Sequence, residues 1–185
     1  ITGIAGYATL LQNRYKSDLD ERGQHFLDQI VKVSQQMERK LDDLLTFSRA
    51  GRDKPFEAFP LGAALEEAKR SLVRKIGDSN ARIETKEELP KAHGDRGMIA
   101  QVLQNLFSNS IKYRRKDEPP LIEVEVMSHD EFFWRIVVRD NGIGFDMRHK
   151  DRIFGVFQRL YATEQYPGTG IGLAIVKRII ERHGG

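Results

Sequence analysis

At 185 residues the chain is long enough for one large or two small domains around a sizeable core, and 39% hydrophobic against 31% charged residues is a soluble, globular mixture. No apolar run nears the roughly 20 residues of a membrane-crossing helix, no secretory leader is expected, and the lack of cysteine excludes disulfides and suits a reducing cytoplasm. A net charge of +3 from interleaved acids and bases argues against a dedicated nucleic-acid surface, while suiting a ligand that carries phosphate.

From residue 1 to about Tyr15, Ile1, Ile4, Ala8 and Leu11 follow helical spacing, and Lys16 to Asp20 reads as a polar turn. A longer helix follows, with Phe26, Ile30, Val33, Met37, Leu41 and Leu44 in a seam that Leu27, Val31 and Leu45 widen to a bundle face. Two helices with such wide apolar faces do not cover each other, so the pattern predicts half of a homodimeric four-helix bundle. Periodicity breaks over residues 49–59, where Gly51 and Pro55 mark a linker. The expected division is a helical hairpin over 1–50, a linker over 51–58 and a second domain over 59–185. That domain is expected to open with a helix over 61–76 and a strand over 81–88. Asp95 then caps a helix reaching about Tyr113. Residues 121–127 and 132–139 alternate as a hairpin around Ser128 to Glu131. A short helix over 152–160 and a final one over 171–183 complete the pattern. Trp134 is expected in the core and is assigned no chemistry. Mixed helices and antiparallel strands indicate an α+β fold, with an α/β sandwich as the second domain.

Three motifs in the second half carry chemistry. The run QVLQNLFSNSIKY sets Asn105 and Asn109 four residues apart, which stacks both carboxamides on one helical face. Leu103, Leu106, Phe107 and Ile111 already supply the apolar stripe, so two asparagines among them are costly without partners. Carboxamide oxygens suit Mg²⁺ and carboxamide NH₂ groups suit phosphate, to which Lys112 adds a positive point charge. Asp140 opens the turn DNGIG with Gly142 and Gly144, and its carboxylate can accept from an exocyclic amine such as that of adenine. Alone, this would be an ordinary turn after a strand. In GTGIGL, Gly168, Gly170 and Gly172 stand at the start of an amphipathic helix, where free N–H groups and the helix dipole favour an anion. In this order the three motifs point to an ATP site.

The chain resembles the catalytic core of a sensor histidine kinase of the phytochrome-like branch. The N box lies in QVLQNLFSNSIKY, the G1 box in DNGIGFD, the F box in RIFGVFQRL and the G2 box in GTGIGL. The resemblance implies a hairpin for dimerisation and phosphoacceptance, followed by an ATP-binding domain of the GHKL type. It implies ATP and Mg²⁺ as ligands, with Asn109 as the metal ligand and Asn105 on phosphate or metal-bound water. Asn105 and Lys112 would be the catalytic pair. Gly142, Gly144, Thr169 and Leu173 enter the nucleotide site through the two glycine boxes. Tyr113 either stacks on adenine or is a surface tyrosine at a helix end. Phe154 and Phe157 form a small core cluster, dock the domain against the hairpin during transfer, or both. Implied partners are a second copy, a response-regulator receiver domain and an upstream sensor domain. Neither nucleic acid nor membrane contact is expected, and the location is cytoplasmic.

None of the five histidines, His25, His93, His129, His149 and His183, is flanked like a phosphoacceptor. In such kinases ITGIAGYATLL follows a His-acidic…Pro segment, which places the acceptor upstream of residue 1; relatives also continue after the terminal HGG with two strands. ATPases of other types on the same fold usually carry a glutamate base where this chain has Asn105, a group that accepts no proton at neutral pH. A non-catalytic dimerisation and docking module is the remaining alternative.

Overall fold

The computed structural model describes residues 2–49, 55–129, 133–161, 166 and 168–185. It divides into two compact units, Ile1–Thr46 and Phe47–Gly185. In the first, helix α1 (Thr2–Tyr15) leads through a 3-10 turn at Lys16–Asp18 into helix α2 (Glu21–Arg49). Asp20 starts α2 by accepting the Gly23 N–H on its side chain at 2.8 Å. Across the turn, Asp28 on α2 accepts from Gln12 Nε2 at 2.6 Å and Lys16 Nζ at 3.2 Å. These donors, Lys16 first, hold its carboxyl below the usual range. Leu27 and Ala8 are buried, yet Phe26, Ile30, Val33, Met37, Leu41 and Leu44 stay 41–56% exposed. The expected seam is thus an open apolar face on the hairpin.

The second unit holds strand β1 (Glu57–Pro60), helices α3 (Leu61–Ser71) and α4 (Val73–Ser79), and strands β2 (Arg82–Thr85) and β3 (Lys91–Gly94). Helix α5 (Arg96–Lys112), strands β4 (Leu121–His129) and β5 (Trp134–Asp140), and helix α6 (Gly172–Arg182) follow. β2 runs parallel to β4, β4 pairs antiparallel with β5, and β1 pairs with β3 in a separate antiparallel ribbon. Helices on a mixed sheet make the expected α/β sandwich. Two apolar clusters grip α5 from different sides. Ala100, Leu103, Phe107 and Ile111 join α3 and the sheet, where Ala64, Phe107 and Ile122 are fully buried. Val102 joins Ile171 and, from α6, Ile175, Val176 and Ile179. The remaining face of α5 is free for other work.

Several expectations are corrected. β1 lies partly within the expected linker, and β3 is unforeseen; each is a four-residue strand that pairs with the other in a two-stranded ribbon. The expected helix over 61–76 is two helices, broken at Leu72 with φ −110° and ψ 10°, and it continues to Ser79. Leu65, Ala68 and Leu72 are all buried across that break, so the apolar seam survives a kink in the backbone. The strand expected over 81–88 is shorter, ending at Thr85. Trp134 is 42% exposed rather than in the core, because it lies at the end of edge strand β5, where its indole N–H donates to the Lys91 carbonyl at 3.0 Å. The expected helix over 152–160 is only a 3-10 turn at Arg152–Phe154. Gly155 is extended and Phe157 takes a left-handed φ of 62°, neither compatible with a continuing helix. Gly51 of the linker and residues 130–132 of the β4–β5 turn lie outside the described residues.

Candidate functional site

The free face of α5 carries Asn105, Asn109 and Lys112, at i, i+4 and i+7. Asp95 starts this helix by accepting the Met98 N–H at 3.0 Å. The segment Gly168–Gly172 runs antiparallel along the same face. A Cβ added to Gly172 would lie 2.9 Å from Asn105 Oδ1, and one added to Gly168 would lie 2.9 Å from Lys112 Nζ. These two approaches bracket Asn109, and they are separated along α5 by about 10 Å. Asn105 donates its Nδ2 to the Gln101 carbonyl at 3.0 Å, which turns the amide oxygen toward the glycine segment. At Gly172 a residue lacking a Cβ lets the backbone approach Asn105 this closely. Leu173 is packed in the apolar cluster between α5 and α6, at the first turn of α6.

Asp140 closes the other end of the site. Its Oδ1 accepts the Gly142 N–H at 2.8 Å, and its Oδ2 lies 3.1 Å from the hydroxyl of buried Ser110 on α5. A carboxylate has about four acceptor positions, so capacity remains for an incoming amine. The turn is fixed to α5 by Ile143 N–H donating to the Tyr113 carbonyl at 3.0 Å. It is fixed to β4 by the Asn141 amide oxygen, which accepts the Leu121 N–H at 2.9 Å. A Cβ on Gly142 would meet the Tyr113 carbonyl oxygen at 2.8 Å, so glycine is required there. Gly144 has a left-handed φ of 65°.

Between these ends, the ammonium of Lys112 stands 4.4 Å from the centroid of the Tyr113 ring. Burial, and secondarily the charge of Arg159, push the Lys112 ammonium below the ordinary lysine range. Burial raises the Tyr113 phenol. Tyr113 is therefore no surface tyrosine: its ring packs 4.9 Å from that of Tyr166 and 5.7 Å from that of Tyr161. Arg159 donates to the Gly168 carbonyl at 3.1 Å and also to the Tyr166 carbonyl.

Asn105, Lys112, Gly168 and Gly172 thus lie along one face of α5, and Asp140 and Gly142 stand at its end, whereas Leu173 belongs to the apolar cluster. Ser110, Arg159, Tyr161 and Tyr166 were not foreseen. For Ser110 the available signal was its place on α5 one residue beyond Asn109, inside the N box. Phe154 and Phe157 are not a core pair, being 37% and 53% exposed. Phe157 stands at a left-handed backbone position, φ 62°. Among the described residues no cluster of His, Cys, Asp or Glu forms a cage for a metal. The neutral oxygens of the asparagine face suit a small, hard cation that takes its other ligands from phosphates and water. No described helix is long and apolar enough to cross a membrane.

Two family models match the chain. Residues 94–185 match the histidine kinase-, DNA gyrase B- and HSP90-like ATPases, and residues 1–53 match the His Kinase A phospho-acceptor domain. Cyanobacterial phytochrome A of Nostoc sp. is 37% identical over 98% of this chain, which spans 24% of that relative's length. Among solved structures, full-length ShkA in complex with AMPPNP superposes with a TM-score of 0.70 at 24% identity, over 98% of this chain and 38% of that one. Histidine kinase ThkA in complex with the response regulator protein TrrA gives 0.62 at 24% identity, over 97% and 51% respectively.

Proposed function

Because this chain belongs to the sensor histidine kinases, with their phosphoacceptor-type hairpin and ATPase-type domain, we propose that it is the ATP-dependent kinase core of a two-component signalling protein. The observation that carries the reading is the antiparallel run of Gly168–Gly172 along Asn105, Asn109 and Lys112, with Asp140 oriented by Ser110 and Gly142 at its end. Asp140 would accept from the amine of adenine. Lys112 and the backbone amides at the start of α6 would hold the phosphates. Asn109, with Asn105 beside it, would hold Mg²⁺, which when bound offsets charge on the phosphate oxygens.

Transfer then requires positioning more than covalent chemistry by the protein. The bond from the γ-phosphorus to its bridging oxygen breaks, a phosphorus–nitrogen bond forms on an imidazole, ADP leaves, and the imidazole proton passes to water. Asn105, unlike a glutamate, provides no base to activate water at that point, which favours transfer over hydrolysis. The acceptor is a histidine of the hairpin segment preceding residue 1, in the same or the second copy, and an aspartate of a response regulator receives the group next. The open face of α2 supports a homodimeric bundle. Exposed Phe154 and Phe157 support docking of the ATP domain during transfer. An upstream sensor domain supplies the input, and the reaction belongs in the cytoplasm.

Calorimetric titration with a non-hydrolysable ATP analogue and Mg²⁺ tests the core of this reading. Binding by the unaltered chain and its loss in Asn109→Ala is the expected result. A folded chain that binds no analogue would overturn it.

A further inference from the structure

We propose that Tyr161 and Tyr166 join Tyr113 in an aromatic clamp for the base of the bound nucleotide, with Tyr161 fixing the clamp to the Asp140 turn. This rests on the nucleotide reading above and adds residues that none of the glycine or asparagine motifs contains. The three rings form a closed triangle, with centroids 5.7 Å apart for Tyr113 and Tyr161, 4.9 Å for Tyr113 and Tyr166, and 5.3 Å for Tyr161 and Tyr166. Their interplanar angles of 40–57° are tilted, so no face is sealed by a parallel stack.

The three tyrosines are anchored to two walls of the site. Tyr113 ends α5, and its carbonyl accepts from Ile143 in the Asp140 turn. The Tyr161 hydroxyl donates to the Gly144 carbonyl of the same turn at 3.2 Å. The Tyr166 carbonyl is held by Arg159, whose other nitrogen holds the Gly168 carbonyl at the start of the phosphate segment. The triangle therefore connects the turn that would read the edge of a purine with the segment that would hold its phosphates. A flat, partly apolar base needs a face to lie on as well as a hydrogen-bond partner at its edge, and tyrosine rings provide one at low entropic cost. All three rings are half-buried, which gives them an apolar surround without closing them off.

The test uses Tyr161→Phe, which keeps the ring and removes the tie to Gly144, and Tyr166→Leu, which keeps bulk and removes the stacking face. Affinity is measured for the Mg²⁺ complexes of the ATP analogue and of inorganic tripolyphosphate. Contacts are read as nuclear Overhauser effects between adenine protons and ring-labelled tyrosines. Tyr166→Leu is expected to weaken the ATP analogue roughly tenfold and Tyr161→Phe less, with tripolyphosphate affinity and melting temperature unchanged. Adenine is expected to show contacts to the Tyr161 and Tyr166 rings. Equal weakening of both ligands would make the triangle a structural prop and overturn the clamp. Unchanged affinities, or bound adenine without contacts to these rings, would overturn it while leaving the nucleotide site standing. No ATP binding by the unaltered chain would remove the parent reading, and the clamp with it.

Discussion

Asn105 and Gly172 meet so closely that a single added carbon on the glycine would lie 2.9 Å from the asparagine oxygen. A residue in the middle of α5 and the first residue of α6 thereby set the width of the candidate phosphate site. The three glycines of this segment are not equivalent, and their alanine variants separate. Gly168→Ala meets only the flexible end of Lys112, which can swing away, so its stability stays within about 0.5 kcal/mol. Gly172→Ala pushes on Asn105 and is expected to lower ATP affinity with a small loss of stability. Gly170 has φ 78°, and its added Cβ would meet the Gln158 carbonyl at 2.9 Å, so Gly170→Ala costs about 1–3 kcal/mol. Urea denaturation beside calorimetric binding checks the order; equal behaviour of all three would contradict it.

Asp140→Asn should weaken ATP binding by roughly ten- to a hundredfold, the range of a hydrogen bond to a charged group. The carboxylate now accepts from Gly142 and Ser110 together, whereas a carboxamide would turn an NH₂ toward one of those donors. Gly142 and Ser110, the described partners of Asp140, belong to the second unit, so sedimentation should show an unchanged oligomeric state. An affinity near that of the unaltered chain would remove the adenine assignment.

The lowered Lys112 gives a pH signature. Burial and Arg159 disfavour its ammonium, so it loses its proton at a lower pH than an ordinary lysine. Phosphate favours the ammonium and would raise it again. ATP binding should therefore take up protons on the alkaline side, and affinity should fall as pH rises toward the ordinary lysine range. Calorimetry in buffers of different ionisation enthalpy measures the uptake. Lys112→Met should abolish it, and identical uptake in that variant would place the proton elsewhere.

His183 has a structural rather than chemical assignment. Its Nε2 accepts the Asp95 N–H at 3.0 Å, its Nδ1 lies 2.7 Å from the Ile179 carbonyl, and its ring stacks on Phe56 at 4.5 Å. With Nε2 accepting, Nδ1 is the nitrogen placed to donate to the Ile179 carbonyl. A Cβ on Gly94 would sit 2.5 Å from this ring, which is pinned and cannot yield. His183→Ala should cost about 1–3 kcal/mol, and Gly94→Ala a comparable amount. The double variant should be more stable than the sum of the two losses, because removing the ring removes the clash. Additive losses in urea melts would refute the contact.

Much of this arrangement is legible in the amino-acid sequence. The spacing of Asn105, Asn109 and Lys112 gave a helical face because a 3.6-residue period leaves no other arrangement, and Asp95 signalled the start of that helix by its chemistry. The seam on α2 was equally readable, since an apolar stripe names its own face. What escaped is non-local. β1 and β3 exist because Glu57 to Pro60 and Lys91 to Gly94 find each other across more than thirty residues, and neither run alternates strongly by itself. The Arg152–Leu160 stretch carries a helical apolar pattern, yet Gly155 and Phe157 leave the helical region. The tyrosine triangle is likewise a tertiary arrangement of residues that share no period. Trp134 misled because its size suggested burial, while its strand ends at a sheet edge.

The left-handed backbone of Phe157 connects two properties that otherwise look separate. An aromatic residue at φ 62° carries an intrinsic conformational penalty of about 1–2 kcal/mol, offset only by its surroundings. Gly170 is part of those surroundings: a Cβ there would come within 3.0 Å of the Phe157 carbonyl carbon. The loop that would grip phosphate is therefore seated on a bent spring whose free end is an exposed ring. Shifting the loop changes what holds the spring, and relaxing the spring re-aims the ring, so the two cannot be retuned one at a time.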